Sequence, residues 1–564
     1  MMEKFSSLAK MAREPRMNAR TVLWYLVFVG FAVNYMIRIN MNITIVTMVK
    51  QTGGRRESQH VASDMSVSGL NFTTVLPTQQ QQPKMYACYV ERNESWTPSN
   101  LDDGSSLVTS QQMQPKLLSP EIVLLKALKF DISEKGFEWD EYQQGLILGA
   151  FFWIHWITQV PGGVLARKYG TKMVFGVANA IGCWLCFLMP LASYVDYRVL
   201  IFLRVIQGLI CGVAWPAMHH MAGQWIPPNE RSKFVTAYLG SSVGVALNFP
   251  LFGYIISWTS WEYVFHFCGI IGTIWYIAWI YMVYDSPAEH PRIHPKERDY
   301  IESSLGITDK SKIQERQQRT PWMKMTFSKA MWMNVIAQWS GIWGLFTLMT
   351  QAPSYFNYIH GWDIKMTGIL SGIPHLGRML FAYFFSIVGD YLLQRNLMSR
   401  TNVRKIGGVF CCLINGIFVL ALAYSGCNAT LAIVFLTLAT MVHGAVSTGP
   451  LANIIDMSPK YAGILLGISG MITVVPGFVS PIIVGLLTLG NQTVKQWEYV
   501  FLIAASMLIV SGILYTLFAD STLQAWNSME DTDALDGKEL VNLKVDVEDT
   551  VQNTEKKVSQ EIER

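Results

Sequence analysis

Two arginines stand where a lipid-buried sequence should carry no charge. Arg38 lies inside the run Asn34-Tyr35-Met36-Ile37-Arg38-Ile39-Asn40, and Arg204 inside Phe202-Leu203-Arg204-Val205-Ile206-Gln207-Gly208. A charged side chain at the centre of a membrane helix costs about 2.5–3.5 kcal/mol on insertion scales, so each needs a reason. A guanidinium stays charged and presents a planar fork of donors that matches a carboxylate or a phosphate. Two of them in one half of the chain point to a cavity that attracts anions. The competing reading is structural, an arginine tied to backbone carbonyls or to an acid on a neighbouring helix.

Other titratable groups are weaker signals. His155, His219, His220, His266, His375 and His443 fall in or at the ends of apolar runs. Histidine titrates near neutral pH and can relay protons, although a lone buried histidine is more often a packing residue. Glu262, Asp390 and Asp456 sit at the ends of runs, where water makes their charge cheap; Asp390 fits a charge clamp at one membrane face. No nucleophile–base constellation, metal-ligand cluster or phosphate loop is visible, so an enzyme reading has little to stand on, and no cofactor or metal is implied. Cys183 and Cys186 form a C-x-x-C inside an apolar run with no second pair, which does not make a zinc site. Like Cys211, Cys268, Cys411 and Cys412 they read as small buried hydrophobes. Cys88 and Cys427 both fall in outer loops; their pairing stays open on sequence alone.

The elements that must carry these residues are membrane helices. The chain has 564 residues, 51% hydrophobic and 15% charged, against about 25% charged in soluble domains. Its 19 Trp and 23 Tyr suit membrane–water interfaces. A net charge of +4 is too small to suggest a nucleic-acid partner. A span needs about 20 mostly apolar residues, and twelve such runs can be counted. The first six lie at 22–46, 143–166, 173–193, 198–220, 234–256 and 262–284. The second six lie at 331–357, 366–391, 405–425, 430–453, 463–488 and 497–518. The reading is therefore a cytoplasmic N-terminus 1–21, a six-helix half 22–284, a charged cytoplasmic linker 285–330, a second half 331–518, and an acidic, disordered tail 519–564. No cleavable signal peptide is seen, because the first apolar run is too long for one.

Charge and sequons orient the spans. Arg167, Lys168, Lys172, Arg231, Lys233, Arg395, Arg400, Arg404, Lys405 and Lys460 follow even-numbered spans. The positive-inside rule then puts both termini in the cytoplasm. The sequons at Asn71, Asn93, Asn428 and Asn491 all follow odd-numbered spans, on the side where glycosylation occurs. The loop 50–136, rich in Gln, Ser, Thr and Asn, reads as a disordered, glycosylated outer loop.

The segment Gly163-Val164-Leu165-Ala166-Arg167-Lys168-Tyr169-Gly170-Thr171-Lys172 resembles the signature loop of the major facilitator superfamily. That loop usually has an acid where Arg167 stands, so the acid-to-helix gating contact of this half is weakened. Gly389-Asp390 with Arg395 resembles the degenerate copy in the second half, as two repeated halves require. A narrower resemblance is to the organic-anion family that includes sialin, the vesicular glutamate transporters and the type I sodium–phosphate cotransporters. Its residues are Arg38-Ile39-Asn40; Phe151-Phe152-Trp153 with Thr158 to Gly163; Arg204 to Gly208; Trp215 to His219; Trp225 to Arg231; and Asn453 to Ile468. The resemblance implies an all-α membrane protein of the major facilitator fold, twelve helices in two six-helix halves. It makes Arg38 and Arg204 substrate-pathway residues, with Tyr35, His155 and Asn453 beside them. His219, Asp456, Asp390, Arg167 and Lys168 become coupling or gating candidates. Sialin-like members have coupling acids where this chain has Gln207 and Cys211. The vesicular glutamate transporters have an arginine where this chain has Gly341 and a histidine where it has Leu148, which disfavours glutamate packaging. His155 stands where sialin-like members place a cavity-facing aromatic residue.

The expectation is a multi-pass carrier of small organic or inorganic anions working by alternating access. It would be coupled to H+ or Na+ or driven by potential, monomeric, surrounded by membrane lipid, and in the plasma membrane rather than a lysosomal or vesicular one. The rival from another class is a non-transporting receptor or sensor on the same fold.

Overall fold

The computed structural model describes residues 17–50, 88, 120–127, 136–227, 234, 236–305, 322–458 and 461–527. Asn71, Asn93, Arg231, Lys233 and Lys460, most of the loop 50–136 and the tail beyond 527 lie outside the described residues.

Among the described residues, ten rods are both long and apolar enough to cross a membrane. They are α1 (Ala19–Met48), α3 (Thr171–Val195), α4 (Tyr197–Trp225), α5 (Thr236–Trp258), α6 (Glu262–Met282), α8 (Ile364–Gln394), α9 (Arg400–Ala423), α10 (Ala429–Met457), α11 (Ile464–Thr488) and α12 (Val494–Phe518). Two more have the length but a more polar composition. One is α7 (Lys329–Tyr358), a single helix of 30 residues, about 45 Å at 1.5 Å per residue. The other is α2 (141–169), which is broken: helix Glu141–Ala150, a 3-10 turn His155–Thr158, then helix Gln159–Tyr169. Irregular backbone at membrane depth is tolerated where protein or a water-filled cavity surrounds it.

The first six rods share one apolar core, which Phe346 and Met349 of α7 join, and the second six carry several smaller ones, one of them set around Phe356, Phe501 and Leu508. At one end of the bundle the halves meet backbone to backbone. A Cβ on Gly145 of α2 would lie 2.5 Å from the Pro481 carbonyl oxygen of α11, and one on Gly368 of α8 would lie 2.6 Å from the Phe249 carbonyl oxygen of α5. A cavity of about 20 Å³ remains there between Gln144, Gln351, Tyr358 and Thr488, room for about one water. Toward the opposite end the packing between α2 and α11 is looser. Gly467 of α11 has open space where a Cβ would sit, and Gly163 of α2 meets only Pro216, at 3.9 Å.

The closed end carries the Cys88–Cys427 disulfide, so the pairing left open by the sequence is made. The long loop is pinned at its base by reciprocal backbone bonds, Phe137 N to Met48 O at 2.8 Å and Lys50 N to Phe137 O at 2.9 Å. Its short helix Pro120–Ala127 docks on α6 through Glu121 and His266, 2.6 Å apart. Burial pushes the Glu121 carboxyl up, but the hydrogen bond and charge of His266 act against it and the net shift is downward.

The open end carries both ends of the described chain. Glu297, from helix Pro295–Leu305 in the linker, accepts from the backbone N–H groups of Ala19 and Arg20 and from Arg20 Nε at 3.0–3.2 Å, an acid on the positive end of α1. The chain leaves its last helix at 518 and stays packed as far as 527. Gln524 N donates to Met457 O at 3.0 Å, Ser458 Oγ bonds Asn527 Oδ1 at 2.7 Å, and Trp526 is buried among Met325, Met331, Ile454 and Tyr461. One buried aromatic and two hydrogen bonds hold this stretch, and the acidic composition further on conceals it.

Candidate functional site

The middle of the first half is organised by the break in α2. Gly208 of α4 lies so close that a Cβ there would overlap the Phe151 carbonyl oxygen, and the next small residue in register, Gly212, packs on Thr158. His155, in the broken stretch, has Nδ1 2.9 Å from the Gly208 carbonyl oxygen. A carbonyl can only accept, so the ring carries a proton on that nitrogen. Its ring packs on Phe151 and Phe152, with centroids 5.3 and 5.9 Å away.

Those two phenyl rings also form a wall for Arg38. The guanidinium carbon is 4.7 Å from the Tyr35 ring centroid, 5.6 Å from Phe151 and 6.0 Å from Phe152. Phe152 in turn meets Phe346 of α7 at 4.8 Å, so the wall reaches the boundary with the second half. Arg38 is 6% exposed, yet its Nε and Nη2 have no hydrogen-bond partner. No described carboxylate forms an ion pair with it. Buried donors normally find partners, and a buried charge without one is costly. Aromatic faces offset part of that cost, but they leave the donors unused.

Arg204 is placed differently. Its Nη1 donates to Ile37 O at 3.1 Å and to Gln207 Oε1 at 2.9 Å, with Asn40 Oδ1 at 3.5 Å, and its Nη2 reaches Arg38 O at 3.4 Å. Gln207 is held in turn by Gly182 O at 2.7 Å. Arg204 is thus a strut from α4 onto the α1 backbone beside Arg38, with Gln207 filling the place of an acid.

The structure brings Tyr35 and His155 to Arg38 and leaves the other candidates elsewhere. Asn453 bonds Asn334 Oδ1 at 3.2 Å and the Tyr515 hydroxyl at 3.3 Å, between α7, α10 and α12. His219 sits in an aromatic cluster with Trp215 and Tyr238, its Nδ1 3.3 Å from the Tyr238 hydroxyl. Asp456 pairs with Arg404 at 2.7 Å, which makes that pair the clamp at the open end, while Asp390 is exposed at the end of α8. Arg167 and Lys168 are exposed as well. The acid-to-helix contact is present all the same. Asp285, just past α6, accepts from Lys172 N at 2.7 Å, in the first turn of α3. Asn428 and Asn491 are exposed at the closed end, and Asn428 also caps α10 through Leu431 N.

One residue of the central region was missed. Arg378, in the middle of α8, donates from Nη1 to Ser242 Oγ at 2.9 Å and from Nε to His443 Nδ1 at 3.2 Å. The rule that singled out Arg38, a charge inside an apolar run, applies to it equally.

Two packed halves, a broken helix at mid-depth and closure at one end define a membrane transporter. The profile of the Major Facilitator Superfamily matches residues 27–481, and the chain belongs to that superfamily, within its organic-anion branch, the anion–cation symporter family. It is 34% identical to sialin of Ovis aries over 510 residues, 90% of this chain and 91% of that protein. It is 38% identical to sialin of Homo sapiens over 393 residues, 70% and 78% of the two. It is 37% identical to vesicular glutamate transporter 2 of Homo sapiens over 403 residues, 71% and 69%. The fold is also that of a bacterial homologue of the lysosomal transporter Spinster in an inward-facing, occupied conformation (TM-score 0.56, 10% identity, 89% of this chain and 97% of that one). The D-xylose–proton symporter shares it too (TM-score 0.53, 12% identity, 89% and 98%). The relatives are transporters and not enzymes, and they lend nothing to the receptor reading.

Proposed function

We propose that this protein carries small organic or inorganic anions across a membrane by alternating access, with Arg38 as the docking cation. The observation that carries the proposal is the pair of buried, unpartnered donors on Arg38, with no ion-paired carboxylate among the described residues. An anion supplies both the acceptors and the charge that the protein withholds. Tyr35, Phe151, Phe152 and His155 shape the pocket wall, and Arg204 holds α1 in register. The names of the relatives, sialin and vesicular glutamate transporters, fit an acidic cargo.

All twelve rods cross the membrane in this reading, and both termini face the cytoplasm. The disulfide and the exposed Asn428 and Asn491 then lie on the oxidising, glycosylating side. The resting state is open to the cytoplasm. The plasma membrane is the compartment we assign, and surface biotinylation of intact cells tests it. Transport is coupled to H+ or Na+ or driven by potential.

The test is uptake into proteoliposomes against a panel of labelled anions, with the pH gradient, sodium gradient and potential imposed separately. Wild-type protein concentrates at least one anion, and Arg38→Ala, purified as a folded monomer, falls to the protein-free background. Uptake by Arg38→Ala at the wild-type rate sinks the proposal.

A further inference from the structure

The open end of the second half holds a cavity of about 590 Å³. Its walls are Arg400 and Thr401 at the start of α9, Ile455 and Asp456 at the end of α10, and Ser521 and Leu523 just past α12. That volume falls among small-ligand sites, which run to about 300–1,000 Å³. One side is polar. Ser399 caps α9 by accepting from Asn402 N at 3.3 Å, while the N–H groups of Arg400 and Thr401, in the first turn, have no helical carbonyl to bond. Such a terminus favours a phosphate. The Arg400 side chain is exposed, and no described carboxylate forms an ion pair with it. Ser521 is an independent sign. It is 5% exposed, it lines the same cavity, and its hydroxyl has no partner; buried hydroxyls normally find one. The carboxylates nearby are already engaged. Asp456 pairs with Arg404 at 2.7 Å, and Asp520 accepts from the N–H and the hydroxyl of Thr522, both at 2.9 Å. Lys405, one turn along α9, adds positive charge and bonds Leu517 O at 3.3 Å, which ties the start of α9 to the end of α12.

We propose that this cavity binds the headgroup phosphate of an acidic phospholipid from the leaflet at the open end. Arg400, the first-turn N–H groups of α9 and the Ser521 hydroxyl hold the phosphate oxygens. The apolar side of the cavity decides for a lipid over a free phosphate. Ile455 and Leu523 are exposed in its wall, and Leu517 and Phe518 are exposed at the adjoining end of α12. A free phosphate leaves these side chains in water, whereas a lipid covers them with the start of its acyl chains. Three spans end or begin at this cavity, which is the depth of the headgroup layer. Basic residues just outside a span attract acidic lipids. The bound lipid bridges α9, α10 and the segment after α12, all in the second half, and its binding does not depend on the cargo site at Arg38.

The experiment titrates purified full-length protein in a mild detergent with dioctanoyl phosphatidylglycerol, dioctanoyl phosphatidylcholine and inorganic phosphate, reading thermal stabilisation. In the wild type, phosphatidylglycerol binds at least about fivefold more tightly than phosphatidylcholine, as one basic contact to an acidic lipid gives. In Arg400→Gln that ratio falls to about twofold or less. Ser521→Ala weakens phosphatidylglycerol binding at least about threefold and leaves the lipid-free midpoint unchanged, because no protein bond is removed. Arg395→Gln is the control for general rim charge. Arg395 is exposed just past α8 and is not a wall of the cavity, so that variant keeps the wild-type ratio. A wild-type ratio near one, a ratio retained in Arg400→Gln, unchanged phosphatidylglycerol affinity in Ser521→Ala, or an equal loss in Arg395→Gln overturns the site. Inorganic phosphate binding as tightly as the lipid, and lost in Arg400→Gln, makes the occupant a free anion and overturns the lipid assignment. Phosphate binding that survives in Arg400→Gln belongs to another site and leaves the lipid ratio to decide.

Discussion

Arg38 and Arg204 are the same residue type, at nearly the same burial, on adjacent helices, and they do opposite things. Arg204 directs both Nη nitrogens onto the α1 backbone and Gln207 and leaves only Nε without a partner. Arg38 keeps Nε and Nη2 free under three aromatic rings. The difference is one of partners, not of charge. A buried guanidinium whose two terminal nitrogens the protein holds is architecture, and one to which the protein offers no acceptor is held ready for something the protein does not supply.

The contrast can be broken at either arginine. The largest effect is expected for Arg38→Ala, which removes uptake to background while leaving the thermal midpoint of the purified protein within a degree or so, because no protein bond to the removed donors is lost. Arg204→Ala should do the reverse. It leaves the Gln207 oxygen and the α1 carbonyls short of a donor, costing about 3 kcal/mol, read as a lowered midpoint and poor recovery from the membrane. Gly208→Ala tests the helix contact that sets both side chains. Its new methyl meets the Phe151 carbonyl, so about 1–3 kcal/mol is lost and uptake falls with stability. A milder variant sharpens the comparison. Arg204→Met with Gln207→Leu removes the donor and a main acceptor together and should recover about half of the Arg204→Ala loss. The smallest effect lies far from the site. The Glu121 carboxyl is lowered in the folded state, so its contribution is complete above the ordinary carboxylate range and fades as pH falls through its depressed value. Hydrogen exchange over 120–127 should therefore quicken only in acid, with uptake unaffected until then.

The sequence shows the architecture well because the physics of a span is local. Twenty apolar residues, a basic flank and a sequon are each legible within a short window, and the rods fall close to where those windows place them. The break in α2 is not legible in the run 143–166, which reads as an unbroken span. What the sequence cannot display is which donor meets which acceptor. Nothing in the string distinguishes Arg38 from Arg204; that depends on Gly208 bringing α4 against Phe151 and on Gln207 standing one turn from Arg204. Asn453 looks like a site residue until it is seen bonded to Asn334 and Tyr515 across three helices. The missing acid at Arg167 is made good by Asp285, more than a hundred residues away. Trp526 shows the converse, a residue of the acidic tail buried in an apolar cluster.

Arginine-directed labelling of the purified protein with phenylglyoxal, mapped by mass spectrometry with and without the anion it transports best, reads donor availability directly. The account predicts that Arg38 is modified in the free protein and protected by the anion, while Arg204 stays unmodified in both samples. Equal labelling of Arg38 with and without saturating anion, or anion-dependent protection at Arg204 in its place, would contradict it.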